Sequence, residues 1–73
     1  MDTAIQLLDV VALNEDLPDH GLVRGQVGTV VESLNSNVFE IEFCDNSGKT
    51  YAMLALNSEQ LMVLYHQPAQ VSQ

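Results

Sequence analysis

The segment whose residue types most readily suggest chemistry is CDNSGKTYAM, residues 44 to 53, which contains the triplet Gly48-Lys49-Thr50. A phosphate-binding loop ends in this triplet and also requires a glycine five residues before its first member. Phe43 stands at that position, so the phosphate-loop motif is absent. Polar residues between two apolar stretches are instead typical of a turn. We expect Gly48 to take a positive φ there and Lys49 to be solvated.

Metal binding and nucleophilic catalysis are both disfavoured by the residues present. Cys44 is the one cysteine, which excludes an intrachain disulfide, and with His20 and His66 it lacks the close spacing of a zinc site. Asp45 lies beside Cys44, and its negative charge disfavours a reactive thiolate. We therefore expect no metal, no cofactor and no enzymatic activity. The serines in or beside the turns also lack a nucleophile motif: Ser33, Ser36, Ser47 and Ser58.

The charge balance restricts the kind of partner. The chain carries ten acidic residues against Arg24 and Lys49, a formal net charge of −8. Such a chain repels nucleic acids and anionic lipids, so we expect a basic or apolar protein partner, with no nucleic acid and no membrane. Glu15, Asp16 and Asp19 crowd one loop. They form either a solvated loop or a site for a basic partner, and their spacing does not match a calcium-binding EF-hand loop.

Hydrophobic residues recur mostly with a period of two, which indicates β-strands. In VFEIEF, residues 38 to 43, three apolar side chains share one face and Glu40 and Glu42 share the other. Further strands are predicted at residues 9–13, 25–34, 50–56 and 61–65, with turns at 35–37 and 45–48 and a 3₁₀ turn near 57–60. Gly25 and Gly28 are predicted to serve a bulge or a tight entry into the second strand.

The string DVVALNEDLPDHGLVRGQVGTVVE, continued by VFEIEFCDNSGKTYAMLALNSEQLMVL, resembles a family of small bacterial proteins that is frequent in cyanobacteria and is classed as a domain of unknown function. The resemblance covers about residues 5 to 65. RGQVGTVVE also resembles the turn and strand of KOW-type and other SH3-like barrels, including that of the nitrile hydratase β subunit. These likenesses imply a fold and not an activity. Members of such groups sometimes lie beside genes for small proteins suspected of being toxins, which suggests an antitoxin-like role. The nitrile hydratase likeness suggests instead an accessory subunit of a larger enzyme.

Several predicted strands are apolar on both faces, which a small solvated barrel does not need. In residues 51 to 56, Tyr51 and Met53 share one face while Leu54 and Leu56 share the other. The surplus face lies either under the N-terminal segment 4–8 or in an interface with a second copy or a different protein. Whichever of Met53 and Leu54 points outward is predicted to anchor that interface.

The sequence as a whole predicts a five-stranded antiparallel SH3-like β-barrel in residues 1–66, followed by a disordered tail in residues 67–73. No positively charged signal segment and no long apolar run is present, so a cytoplasmic location is expected. The predicted function is a non-enzymatic protein-interaction module, and the alternative is an accessory subunit packed on a larger enzyme chain. The predicted partner-binding residues are Glu15, Asp16, Asp19, Met53 and Leu54.

Overall fold

The computed structural model of the protein describes residues 5–65 and contains five β-strands and two short 3₁₀ turns. The predicted tail at 67–73 lies outside the described residues. Each strand begins and ends within two residues of its predicted limits. The strands are β1 Val10–Leu13, β2 Val27–Asn35, β3 Val38–Cys44, β4 Thr50–Asn57 and β5 Leu61–Val63, and the 3₁₀ turns are Pro18–His20 and Ser58–Gln60.

The five strands form one antiparallel sheet in the order β4-β3-β2-β1-β5. The all-β class and the two hairpins, β2–β3 and β3–β4, are thereby confirmed. The sheet is not closed into a barrel, because within residues 5–65 the edge strands β4 and β5 do not pair with each other. β5 is only three residues long and its partners all lie in β1, so it does not extend to meet β4.

The core lies on one face of this sheet, and the alternation along β3 shows how it is built. Phe39, Ile41 and Phe43 are buried, whereas Glu40 and Glu42 between them are partly exposed. The cross-strand partners continue the core face, since each buried residue of β3 stands opposite an apolar residue of β4. The buried cluster comprises Val11, Leu13, Leu22, Val30, Phe39, Ile41, Phe43, Leu56 and Leu61.

Gly28 makes close packing between β2 and β3 geometrically feasible. A Cβ atom at this position would lie 2.7 Å from Cγ2 of Ile41 and 3.1 Å from Cδ2 of Phe43. Neither distance leaves room for a methyl group. Gly28 therefore allows side chains of β3 to approach the backbone of β2 closely, and does not serve a tight entry into the strand.

The second 3₁₀ turn, Ser58–Gln60, is capped at its start and tied to two distant parts of the chain. The Asn57 side chain accepts from the N–H of Glu59, and the Gln60 side chain accepts from the N–H of Asn57. The N–H of Ser58 donates to the carbonyl of Asn37 at 2.9 Å, and the N–H of Asn14 donates to the carbonyl of Gln60 at 2.9 Å. The turn thus links the β2–β3 turn to the end of β1.

The β3–β4 turn confirms the interpretation of the Gly-Lys-Thr triplet. Gly48 has a φ of 86°, and its N–H donates to the carbonyl of Asp45 at 2.9 Å. One carboxylate oxygen of Asp45 also accepts from the N–H groups of Ser47 and Lys49 and from the Ser47 hydroxyl. The donors of Lys49 and Ser47 hold the pKa of Asp45 below its ordinary value of 3.8.

Gly48→Val should destabilise the fold by about 1 to 2 kcal/mol, because a side chain at positive φ brings Cβ against the following carbonyl. Open space surrounds the position, so the cost comes from the backbone alone. Lys49→Ala is the matched control and should be nearly neutral, since the backbone N–H that Asp45 accepts is retained. Urea denaturation measures both variants, and equal large losses would contradict this account of the turn.

Asp45 should make the stability of the turn depend on pH. Its pKa is lowered on folding, so its stabilising contribution is present above pH 3.8 and is lost as the pH falls through the folded-state pKa. Asp45→Asn keeps a carbonyl acceptor but does not titrate. The native protein should therefore melt at a higher temperature than this variant near neutral pH, and the difference should shrink in acid. A melting-temperature difference that stays constant from neutral to acid pH would show that the ionised carboxylate of Asp45 does not stabilise the turn.

Candidate functional site

The face of the sheet opposite the core, here called the outer face, is set by the strand register. Ala12 of β1 stands opposite Val27 of β2 and Met62 of β5. Val27 and Met62 are about half exposed, while the small Ala12 between them is buried. One row of the outer face is therefore apolar across three strands.

The next part of the outer face combines an apolar side chain with carboxylates. Glu42 of β3 stands opposite Met53 of β4 on one side and Thr29 of β2 on the other. Met53 is 51 % exposed, so half of a large apolar side chain lies in water beside Glu42. The hydroxyl of Thr50 donates a hydrogen bond to the Glu42 carboxylate.

A second carboxylate pair lies further along the same face. Glu32 of β2 and Glu40 of β3 are direct cross-strand partners, an arrangement that is unfavourable for two like charges. The two cations of the chain, Arg24 and Lys49, precede β2 and β4 and so lie at the other end of the sheet. A positive charge supplied from outside would consequently relieve the repulsion between Glu32 and Glu40.

Met53 and Leu54, the two predicted anchors, point to opposite faces. Leu54 stands opposite the buried Ile41, is half-buried and packs against the core, whereas Met53 lies on the outer face. Only Met53 is therefore available as an outward anchor. Tyr51 is the extra residue of a bulge between Thr50 and Ala52, and its hydroxyl accepts from the Gln26 side chain at 3.1 Å.

The described part of the N-terminal segment, residues 5–8, does not cover the outer face. Ile5 packs against the core cluster, which lies on the other side of the sheet. Leu7 and Leu8 are largely exposed, and Leu8 has a φ of 72°. Of the two explanations for the surplus apolar face, cover by residues 4–8 is therefore not seen in the part of the chain that is described.

The loop acids are exposed, and two of them also hold the loop together. The Glu15 carboxylate accepts from the Gln60 side chain at 3.0 Å, and the Asp16 carboxylate accepts from the N–H of Arg24 at 2.8 Å. Asp19 is exposed in the first 3₁₀ turn. These contacts join the loop to itself and to the second 3₁₀ turn, not to Met53. The carboxylates next to Met53 are instead those of the outer face.

Glu40 and Glu42 were not among the predicted partner-binding residues, although the sequence contains a signal for them. The alternation in VFEIEF placed both on the polar face of β3. What it did not reveal is that the opposite positions on β4 hold Met53 and Ala55, because register is fixed by the β3–β4 turn.

An open groove of about 730 Å³ lies between the β2–β3 turn and β5. Its lining contains no carboxylate, histidine or cysteine, and the phenol of Tyr65 is the side chain in it that can act as a general acid or base. The lining residues are Ile5, Asn14, Ser36, Asn37, Phe39, Ser58, Leu61, Met62, Val63 and Tyr65.

Metal ligands are not gathered in the described part of the chain. Residues 5–65 contain no group of three or more His, Cys, Asp or Glu side chains placed to hold an ion. Cys44 and His20 are exposed, and His66 lies outside the described residues. Within the same residues, no helix is long and apolar enough to cross a membrane.

The fold and this surface define a small all-β domain with a mixed apolar and acidic outer face. The model of the family described as "Domain of unknown function (DUF4926)" matches residues 7–63, and the chain belongs to that family. The predicted membership of a family classed in this way is confirmed. No curated protein and no solved structure gives a significant match.

Met53→Ser and Leu54→Ser should differ in stability although the residues are adjacent. Loss of the half-buried Leu54 from the core side should cost about 1 to 2 kcal/mol of unfolding free energy. Loss of Met53, which is half in water, should cost under about 1 kcal/mol. Urea denaturation at the lowest protein concentration that gives a signal measures both. A larger cost at Met53 would contradict the assignment of the two faces.

Proposed function

We propose that the protein is a non-enzymatic interaction module that binds a basic protein partner through the outer face around Met53. The observation that carries this proposal is the juxtaposition of an exposed apolar side chain with uncompensated carboxylates. Met53 stands directly opposite Glu42, and the like-charged pair Glu32 and Glu40 lies on the same face. The proposal includes a cytoplasmic location.

The apolar part of the face supports binding because half-exposed side chains still have surface to bury. Val27, Met53 and Met62 are each about half exposed on the outer face. Burial of such surface stabilises a complex by about 25 cal/mol for each Å² removed from water. Energetic anchors of interfaces are commonly a few large side chains of this kind, surrounded by polar residues.

The acidic part of the face supports the choice of a basic partner. A net charge of −8 attracts a cationic protein over several ångströms, and Glu15, Asp16 and Asp19 extend this field on the exposed loop. Charges at the rim of an interface chiefly raise the association rate. The loop acids would then steer the partner, while Met53 and its apolar neighbours would retain it. An antitoxin that binds a small basic protein fits this description, as does an accessory subunit with a basic docking surface.

The test separates steering from retention on a partner isolated from native lysate. Converting Glu15, Asp16 and Asp19 to Gln or Asn keeps an acceptor oxygen for the hydrogen bonds of Glu15 and Asp16 while removing three charges. Association should become slower and less dependent on ionic strength, and dissociation should change little. Unchanged association at low salt would show that the loop is merely solvated.

Met53→Ser should instead accelerate dissociation, at a cost of about 1 to 3 kcal/mol of binding free energy. Glu40→Gln should weaken binding more than Glu59→Gln. The latter is the matched control, because it removes the same charge from the exposed second 3₁₀ turn. Stopped-flow or surface-based kinetics measure all of these variants. Equal effects of the two glutamate substitutions would mean that net charge alone matters and that the outer face is not the site.

A further inference from the structure

β4 is an edge strand of eight residues, and in the described part of the chain its free side has no strand partner. In an antiparallel pair, alternate residues direct their N–H and C=O groups to the neighbouring strand. The residues between them direct theirs away from it. About half of the backbone groups of β4 therefore point away from β3, in a geometry that matches another strand.

Edge strands are usually protected from pairing with other chains by shortness, charge, proline or a bulge. β5, the other edge, is protected by its length of three residues. β4 reads TYAMLALN and contains no charged residue and no proline. Its one irregularity lies at its start, between Phe43 and Cys44 of the partner strand. The rest of β4 is regular and unprotected.

The side chains of β4 also resemble those of a strand inside a sheet. Apolar residues on both parities are typical of a strand that is covered on both faces. At this edge, however, Leu54 is still partly exposed on the core side, and Met53 is 51 % exposed on the outer side. One further strand beside β4 would cover part of each residue.

We propose that β4 pairs antiparallel with β4 of a second copy, joining two five-stranded sheets into one continuous sheet. Antiparallel pairing of a strand with itself is isologous, so the same unpaired groups and the same half-covered residues meet on both sides of a two-fold axis. A second copy is favoured over a foreign strand, because β4 is complementary to itself in its unpaired backbone groups and in its partly covered apolar side chains.

The net charge of −8 does not prevent this pairing, because the seam itself is neutral. The nearest regularly placed carboxylates, Glu40 and Glu42, lie on β3, one strand in from the edge. Across the seam they would be separated from their counterparts by three strand spacings, roughly 14 Å. This exceeds the screening length of about 8 Å at physiological ionic strength. The pairing would cover the part of Met53 next to the seam and leave the rest of the outer face open, so it does not require the proposed partner binding.

Analytical ultracentrifugation across the micromolar range tests the proposal on the full chain. The native protein should reach a mass twice 8.0 kDa. Ala55→Lys should raise the dimer dissociation constant at least about ten-fold, because an edge lysine disfavours strand addition. Glu40 stands opposite Ala55, so the lysine has an acidic neighbour and the folded chain should tolerate it. Circular dichroism checks that the variant is folded.

Val27→Lys is the matched control, since it places the same charge on the outer face but on β2, inside the sheet. This variant should remain dimeric. A native protein that is monomeric at every concentration would overturn the proposal. So would an Ala55→Lys variant that dimerises normally, or a dimer that only Val27→Lys dissociates.

Amide hydrogen exchange provides a second measurement that does not depend on any substitution. Raising the concentration of the native protein should slow exchange at alternate residues of β4, while β5, the opposite edge, should be unaffected. Protection of β5 instead of β4, or no dependence on concentration, would also overturn the proposal.

Discussion

The hydrogen bonds of the second 3₁₀ turn hold together a sheet whose edges do not meet. Ser58 binds the carbonyl of Asn37 on one side, and Gln60 accepts from the N–H of Asn14 on the other. The Asn14 side chain adds bonds to the carbonyls of Glu59 and Leu61 at 3.3 and 3.0 Å. These contacts join residues far apart in the sequence and tie the β2–β3 turn and the start of β5 to the end of β1. A small core can be enclosed in this way without closing a barrel.

The acidic residues divide into those that the fold uses and those that it leaves at the surface. Glu15, Asp16 and Asp45 accept hydrogen bonds from groups in loops and turns, which gives a chain with only two cations a means of ordering its connections. Glu32 and Glu40, in contrast, face each other across two strands. Carboxylates that repel each other on a sheet face are unfavourable for folding, which is why they suggest a requirement outside the isolated chain.

The exposed apolar side chains of the strands, like the repelling carboxylates, also suggest a requirement outside the isolated chain. A 73-residue chain buries a limited fraction of its surface, and its core is accordingly small. On the outer face, Val27, Met53 and Met62 remain about half exposed, and Leu54 on the β4 edge remains partly exposed, because nothing in the described chain is placed to cover them. The outer face and the β4 edge share Met53, but the rest of the outer face lies away from the edge, so a copy of the chain at the edge leaves surface for a different protein on the face.

The sequence by itself determined the five strands, both hairpins and the positive φ of Gly48, because period-two alternation and turn residues act locally. Glu40 and Glu42 could be placed on the polar face of β3 for the same reason. Only the tertiary structure decided that Met53 points outward while Leu54 points to the core, and that β4 is an edge. It also decided that the sheet stays open. These outcomes depend on strand register and on contacts such as Asn14 with Gln60, which join residues far apart in the chain and leave no local pattern.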